Sequence, residues 1–131
     1  MPASKQFITG VRIALLLAAE PANLHRSGDV GRRLGINPVV VRRALLRLCD
    51  AGIVLSKKGP GGGSQLARKA RQITLRDVHR AVSPHAMNLL AGKTGVSLKV
   101  ILDHASRAYE DELARITLAQ LLHKTKRRGR G

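Results

Sequence analysis

Apolar residues recur at helical spacing near the start of the chain, over residues 4–19. The apolar positions on one side of such a helix are Phe7, Ile8, Val11, Leu15 and Ala18. The run ends at Glu20, because Pro21 follows and a residue before proline avoids helical geometry. The pattern therefore predicts a first helix over residues 4–19.

Two further helices, separated by a short turn, are predicted over residues 27–51. Ser27 is the candidate N-cap of the first of them, Asp29 lies in its first turn, and Gly35 ends it. Gly31 lies inside this helix, where a glycine costs about 1 kcal/mol relative to alanine. We therefore expect the next helix to cross close to Gly31.

The next helix has a strong start signal, since Asn37 is a good N-cap residue and Pro38 suits the first helical position. We expect this helix to run to about residue 51 and to end at Gly52. Its predicted core-facing residues are Val41, Ala44 or Leu45, and Leu48. The residues expected outside that stripe are Val39, Val40, Arg42, Arg43 and Arg47.

A β-hairpin is predicted next, with strands near residues 53–55 and 64–67. The loop between them reads GPGGG, and it has three possible roles: a phosphate-binding loop, a domain linker, or the tip of a hairpin that touches a large partner. It lacks the ending of a nucleotide-binding loop and leads into a strand, not into a helix N-terminus. Strand signals on both sides argue against a linker. The hairpin tip is the interpretation that remains.

Two capping boxes mark the later helices. Thr74 with Asp77 predicts a helix that runs through residue 82, and Thr117 with Gln120 repeats the same device. Residues 83–95 contain a proline and two glycines and are the best candidate for a boundary.

A long helix is predicted over residues 97–116. Its apolar stripe consists of Leu98, Ile101, Leu102, Ala105, Tyr109, Leu113 and Ile116. A helix outside the main core has to bury such a stripe against a partner, and a second copy of the chain is the simplest one. We therefore expect a homodimer with these residues in its interface.

The charge of the chain narrows the class of partner. It has 24 Lys and Arg against 8 Asp and Glu, a net charge of +16 over 131 residues, which implies nucleic acid or an anionic membrane surface as partner. No apolar run approaches the length of a membrane span, so we expect a cytoplasmic protein. A single cysteine excludes an intramolecular disulfide, and the five histidines show no metal-ligand spacing, so we expect no metal site.

An arginine-bearing helix followed by a glycine-rich hairpin favours contact with double-stranded DNA. Arginine pairs with two acceptors of guanine, and glycines let the main chain of a hairpin approach DNA closely. The predicted DNA-contacting residues are Ser27, Asn37, Pro38, Val39, Val40, Arg42, Arg43, Arg47, Lys57, Lys58, Gly61, Gly62, Gly63, Ser64 and Arg68. The alternatives are a merely solvated basic face and a structural protein that binds nucleic acid through charge alone. No acid and base pair or activated nucleophile has a recognisable spacing, so we expect no enzyme.

Cys49 has two interpretations that the sequence leaves open. It is either a redox sensor close to the DNA-contacting residues or a small, partly buried structural residue. A sensor requires a reactive thiolate, which sequence does not show.

Five segments together resemble the Rrf2 family of bacterial transcription regulators. They are LGINPVVVRR from residue 34, LCDAGIV from residue 48, GPGGG from residue 59, LAR from residue 66 and ITLRDV from residue 73. The resemblance extends to ITL at residues 116–118 and so covers nearly the whole chain. It implies a mainly α fold with a small β-hairpin wing: a winged helix-turn-helix domain plus a long C-terminal dimerisation helix. It also implies a homodimeric repressor on a near-palindromic operator.

The chain departs from the usual family pattern in two respects. Many members hold an iron–sulfur cluster with three cysteines that precede the dimerisation helix, and residues 83–106 contain no cysteine. We therefore expect no cluster and no other cofactor, and the sequence identifies no small-molecule effector. Family wings usually have an aromatic residue after the glycines, where this chain has Ser64.

The predicted organisation has four parts. Residues 1–82 form the DNA-binding domain, residues 83–96 a connecting loop, residues 97–123 the dimerisation helix and a short terminal helix, and residues 124–131 a basic disordered tail.

Overall fold

A computed structural model of the chain describes residues 4–83 and 96–129, with side chains described for residues 4–83 and 100–125. The helices are α1 (Lys5–Ala19), α2 (Ser27–Leu34), α3 (Pro38–Asp50), α4 (Leu75–Val82), α5 (Val96–Leu113) and α6 (Leu118–Gly129). The strands β1 (Val54–Lys57) and β2 (Gly63–Leu66) form one antiparallel hairpin, and a 3-10 turn at Ala70–Gln72 leads into α4. This architecture confirms the predicted fold class. The predicted connecting loop, apart from its two ends, lies outside the described residues.

No helix of these two ranges has the length and hydropathy needed to cross a lipid bilayer.

The core forms where α1 packs against α3, α4 and α6. Ser4 caps α1 by accepting a hydrogen bond from the Phe7 amide at 3.1 Å, and the helix then buries Phe7, Ile13 and Leu17. Its main partners in the core are Val41, Leu48, Ile53, Ile73, Val78 and Leu118. The first predicted helix is thus confirmed, and it is the element around which the domain packs. Its buried side differs from the predicted apolar side, because Ile8 is exposed whereas Ile13 and Leu17 are fully buried.

The turn between α2 and α3 brings the two helices into close contact. Gly35 ends α2 in the left-handed region at φ 69°, and the Asn37 side chain caps α3 by accepting from the Val39 amide at 2.9 Å. A Cβ atom on Gly31 would lie 2.6 Å from the carbonyl oxygen of Ile36. This confirms that Gly31 is required by a close approach, which here is made by the turn.

The prediction that Ser27 caps α2 is wrong. The N-cap residue is Arg26, which makes no side-chain capping bond, and Ser27 is the first helical residue. The Ser27 hydroxyl instead lies 3.4 Å from Nε of Arg42, from which it accepts, because α3 packs across α2.

The hairpin pairs Val54 with Leu66 at its base and Lys57 with Gly63 next to its tip. Its second strand also pairs with the segment before α2, because His25 and Ser64 exchange two backbone hydrogen bonds of 2.9 and 2.8 Å. The predicted strands are confirmed, but both lie closer to the tip: β1 begins one residue later and ends two residues later than expected, and β2 is displaced by one residue.

The two capping boxes lie side by side. Thr74 and Thr117 form an antiparallel bridge, supported by a bond from the Leu75 amide to the Ile116 carbonyl and one from the Leu118 amide to the Ile73 carbonyl, each 2.9 Å. Both boxes have the predicted reciprocal hydrogen bonds. This pairing places α6 against the core, with Leu118 fully buried.

Two predictions about the C-terminal region are wrong. The long helix ends at Leu113 and not at residue 116, because the chain turns there to pair with the start of α4. Residues 124–129 are helical and not a disordered tail, since α6 runs to Gly129. Lys and Arg are favourable near a helix C-terminus, where they meet the negative end of its dipole.

The predicted apolar stripe of α5 divides between two environments. Leu113 is buried in the core of the chain itself, and Tyr109 and Ile116 pack against that core. The chain itself therefore covers Leu113, whereas Tyr109 and Ile116 stay half-buried, and their predicted role in a dimer interface remains a prediction. Ile101 and Ala105 are exposed and Leu102 is half-buried, whereas the side chain of Leu98 lies outside the described residues.

Candidate nucleic-acid interface

α3 presents opposite faces to the core and to solvent. Val41, Ala44, Leu45 and Leu48 are buried at the spacing of one helix face. The core stripe is therefore confirmed, and both Ala44 and Leu45 belong to it.

The opposite face of α3 combines cations with aliphatic side chains. Its exposed residues are Val39, Val40, Arg42, Arg43, Leu46 and Arg47. The ion pairs within the described ranges involve none of these three arginines. No described carboxylate therefore neutralises the positive charge of this face at ion-pair distance.

The hairpin lies beside α3 and forms a groove of about 680 Å³ with it. The floor is apolar and includes Leu45 and Val54, whereas the rim is basic. The basic residues that line the groove are Arg26, Arg42, Lys57 and Lys58. We call this surface the α3–hairpin groove.

A close approach within the hairpin requires glycine at its tip. The Gly62 amide donates to the Gly59 carbonyl at 2.9 Å, and a Cβ atom on Gly62 would overlap the carbonyl oxygen of Lys57. Gly61 lies exposed at the tip, whereas Gly62 is buried and Gly63 is half-buried. The tip is thus a compact turn with exposed main chain at Gly61. Arg26, which precedes α2, donates a hydrogen bond of 3.5 Å to the Gly59 carbonyl.

Side chains join the hairpin to α3. The hydroxyls of Ser56 and Ser64 share a hydrogen bond of 2.9 Å, and the Ser56 hydroxyl lies 3.1 Å from the Cys49 sulfur. Ser64 is buried, so the prediction that it contacts DNA is not supported by its position. Its small size fits a site where the strand passes against His25. Cys49 is half-buried and belongs to the same contact.

His25 connects the hairpin to the end of α1. Its ring is buried, and Nε2 donates to the carbonyl oxygen of Glu20 at 3.0 Å. The Glu20 carboxylate accepts from Arg33 at 2.7 Å, and the pKa of Glu20 is lowered mainly by that hydrogen bond and by the Arg33 charge. The second strand of the hairpin, α1 and α2 are therefore held together by one set of contacts.

A second basic cluster lies on the other side of α3. Lys5, Arg43 and Arg47 line a cavity of about 270 Å³ whose apolar walls include Val40 and Val82. Arg47 donates to the Val82 carbonyl at 3.1 Å, at the last residue of α4. Arg47 is therefore turned towards α4, whereas Arg42 lies on the side of the hairpin.

Arg68 is separate from the α3–hairpin groove. It follows β2 at the end of the hairpin distant from the tip, and its guanidinium lies 3.9 Å from the Asp77 carboxylate. Asn37 and Pro38 are exposed at the start of α3, and Lys57 and Lys58 are exposed where β1 enters the tip. The structure thus gathers most of the predicted contact residues around α3 and leaves Arg68 apart.

Sequence reasoning does not identify Arg26 or Lys5 as members of this surface. Arg26 reaches the hairpin because the neighbouring His25 pairs with Ser64, a contact between distant parts of the chain. Lys5 joins because the start of α1 lies beside α3 and α4. The local sequence around these residues has no signal for either contact.

Comparison with known proteins identifies the family. The protein-family model described as "Rrf2: Iron-dependent Transcriptional regulator" matches residues 3–124 of this chain. Protein aau3 of Rhizobium meliloti is 35% identical over 78 residues, which cover 60% of this chain and 51% of that protein. The HTH-type transcriptional regulator IscR of Cereibacter sphaeroides is 34% identical over 86 residues, which cover 63% of this chain and 56% of that protein. The chain thus spans about half the length of these curated relatives.

The solved structure of T. potens IscR has the same fold. It superposes with a TM-score of 0.75 at 25% identity, over 95% of this chain and 88% of that one. The family description and the name of the Cereibacter sphaeroides relative both identify transcriptional regulators, in agreement with the expectation from sequence that the chain is not an enzyme. The match over residues 3–124 confirms the resemblance, and the chain belongs to the Rrf2 family of transcriptional regulators.

Proposed function

We propose that this chain is a sequence-specific DNA-binding regulator that represses transcription as a homodimer on a near-palindromic operator. In this proposal the exposed face of α3 enters the major groove, and the hairpin acts as a wing against the phosphate backbone. A dimer then reads two half-sites whose spacing follows from its own two-fold axis. Repression follows because a protein bound across a promoter excludes the polymerase from it.

The exposed face of α3 is the observation that carries the proposal. A helix fits the width of the major groove of B-DNA, and arginine recognises guanine there through a bidentate hydrogen bond. Arg42 and Arg43 are exposed, adjacent and not paired with any described carboxylate. Both side chains are therefore available to a base edge or a phosphate.

The wing supports the proposal through its charge and its shape. Lys57 and Lys58 are exposed beside the tip, where they would contact phosphate oxygens. The exposed glycine edge at Gly61 lets main chain come close to the sugar–phosphate backbone. Contacts of this kind fix orientation on the duplex without reading its sequence.

Selection from a random pool of DNA duplexes tests sequence specificity directly. We expect one half-site motif, repeated with two-fold symmetry, and an affinity ratio over random DNA on the order of a thousand or more. A protein that binds through charge alone would retain DNA of every sequence and would lose affinity with salt equally on all of them. Retention of a pool without any enriched motif would reject sequence-specific binding.

Replacement of Arg43 by alanine tests the assigned recognition residue. We expect Arg43→Ala to relax the preference for one base pair of the half-site, with a loss of about 1–3 kcal/mol of discrimination. Competition between the selected operator and its single-base variants in fluorescence anisotropy at fixed salt measures this loss.

Arg71→Ala is the matched control, because it removes the same charge from an exposed residue on the 3-10 turn that packs against α6. It should weaken binding to all sequences alike or not at all. If Arg43→Ala kept the full base preference, Arg43 would have no role in base recognition.

The residues of this chain do not fit a cysteine-held iron–sulfur cluster. Its one cysteine, Cys49, lies on α3 beside Ser56, and residues 83–106 contain none. Within the described ranges, no three His, Cys, Asp or Glu residues are grouped as metal ligands. The proposed regulation therefore includes no step that uses iron, although the family is described as iron-dependent.

A further inference from the structure

Two aliphatic side chains form the outermost line of α3. Val39 is 49% exposed and Leu46 is 64% exposed. They are seven residues apart, close to two helical turns, and so they lie on the same side of the helix. Arg42 and Arg43 lie between them along the chain.

The core of the described chain does not account for these two residues, although Leu46 also lines the α3–hairpin groove. Neither belongs to the core cluster, nor to the partly buried residues packed against it. Val40 differs, because it lines the small cavity beside Ala44 and Val82 on the flank of α3. Val39 and Leu46 thus place apolar surface where the proposed function places DNA.

The major groove offers one apolar group on its base edges, the 5-methyl group of thymine. The other groups that distinguish the bases there are hydrogen-bond donors and acceptors, which an aliphatic side chain cannot pair. Flanking arginines favour DNA over an apolar protein partner, since an apolar interface would bury their charges without a described counterion. The exposed face of α3 therefore has the chemistry to contact thymine methyl groups with its aliphatic side chains and guanines with its arginines.

We infer that Val39 and Leu46 are specificity-determining residues that contact thymine 5-methyl groups, which adds to the proposed function and rests on it. Seven residues of helix span about 10 Å, and successive base pairs are about 3.4 Å apart. With α3 lying along the groove, the two thymines are about three base pairs apart in each half-site. The guanines read by the arginines lie between or beside them.

Replacement of thymine by deoxyuridine tests this inference, because it removes the methyl group and keeps every hydrogen-bonding group of the base. Each thymine of the selected operator is replaced singly, and the dissociation constant is measured at fixed salt. We expect wild-type protein to lose about fourfold in affinity at two positions per half-site, the factor that corresponds to burial of one methyl group.

Side-chain truncation identifies which residue reads which methyl group. Val39→Ala should abolish the penalty at one of the two positions, and Leu46→Ala at the other, so that each variant binds the thymine and deoxyuridine sites equally there. Ile8→Ala is the control, because Ile8 is an equally exposed aliphatic residue on α1. It should keep both penalties.

The outcomes separate this inference from the proposed function. If wild-type protein binds every deoxyuridine operator as tightly as the thymine operator, the methyl contacts are rejected while sequence-specific binding stands. If both alanine variants keep the wild-type penalties, Val39 and Leu46 are not the reading residues. A pool without any enriched motif would instead reject the proposed function itself. Val39→Thr keeps the shape of valine with a hydroxyl in place of one methyl group, so it should reduce the penalty at its position without abolishing it, because its remaining methyl group can still contact thymine.

Discussion

At the scale of single residues, Gly31 fixes the distance between α2 and the turn into α3. A Cβ atom there would lie 2.6 Å from the Ile36 carbonyl oxygen, a backbone atom that cannot move without displacing the start of α3. We therefore predict that Gly31→Ala destabilises the protein by about 1–3 kcal/mol, the usual cost of overpacking. Urea denaturation followed by far-UV circular dichroism measures the change.

Gly28→Ala is the matched control for Gly31→Ala. Gly28 lies in the same helix, with no atom within 4 Å of an added Cβ. This variant should be as stable as wild type or more stable by up to about 1 kcal/mol, because alanine favours the helix. If the two variants had equal stability, the close approach at Gly31 would carry no energetic weight.

Residue roles that depend on local geometry were predictable from the sequence, and those that depend on distant partners were not. Asn37 and the two threonine capping boxes act within one helical turn, so their roles follow from spacing alone. Ser27 and Ser64 have partners elsewhere in the chain, Arg42 and His25, and those contacts form only after the helices and the hairpin pack. The local sequence around each serine does not indicate these long-range contacts.

At the scale of elements, a carboxylate and an aromatic contact join α5 to α4. Glu110 accepts two hydrogen bonds from Arg80, at 3.1 and 2.9 Å, and lies 3.7 Å from the His79 ring. The His79 ring makes T-shaped contacts with the ring of Phe7 on α1 and with the ring of Tyr109 on α5. The pKa of Arg80 is raised by its hydrogen bond to Glu110 and by the charge of that group. This junction therefore couples α5 to the helices that support α3.

We predict that Glu110→Gln loosens the junction, because the amide loses the charge that pairs with Arg80. The cost to global stability should not exceed about 1 kcal/mol, since Arg80 is mostly exposed and solvent screens the pair. Backbone amide hydrogen exchange should show a larger effect in the second half of α5 than in α1.

Glu112→Gln is the control for Glu110→Gln. Glu112 is exposed, and its ion pair is with Arg115, three residues further along the chain, and not with another helix. It should leave hydrogen exchange unchanged. Equal exchange in both variants and wild type would show that Glu110 does not hold α5.

The ends of the last two helices were harder to predict than their existence. The apolar pattern of α5 continues through Leu113 and Ile116, although the chain leaves the helix between them to pair with α4. Periodicity reports which residues are apolar, and it does not report which surface buries them. The basic C-terminal run reads as disordered by composition, yet α6 continues through it because its first turns are anchored by Leu118 and Thr117.

At the scale of the whole molecule, α5 has apolar surface that the described part of the chain does not cover. Its Tyr109 and Leu113 belong to or pack against the core, whereas Val100 and Ile101 are exposed, Ile101 by 64%. Exposed aliphatic residues that cluster on one helix favour association. A second copy of the chain offers the same surface, as a two-fold dimer requires. The dimer interface that we propose thus keeps Ile101 from the stripe predicted from sequence, adds Val100 and omits Leu113.

We predict that Ile101→Asp converts a dimer into a monomer, because pairing would bury a carboxylate in an apolar interface without a counterion. Sedimentation equilibrium at micromolar concentration should show the wild type as a dimer and this variant as a monomer. Ile8→Asp makes the same change at a comparably exposed isoleucine on α1 and should remain dimeric.

The Ile101→Asp variant should also lose affinity for the full operator. It should keep the wild-type base preference on an isolated half-site, because α3 is intact. A wild-type protein that is monomeric at these concentrations, or an Ile101→Asp variant that stays dimeric, would contradict pairing through α5.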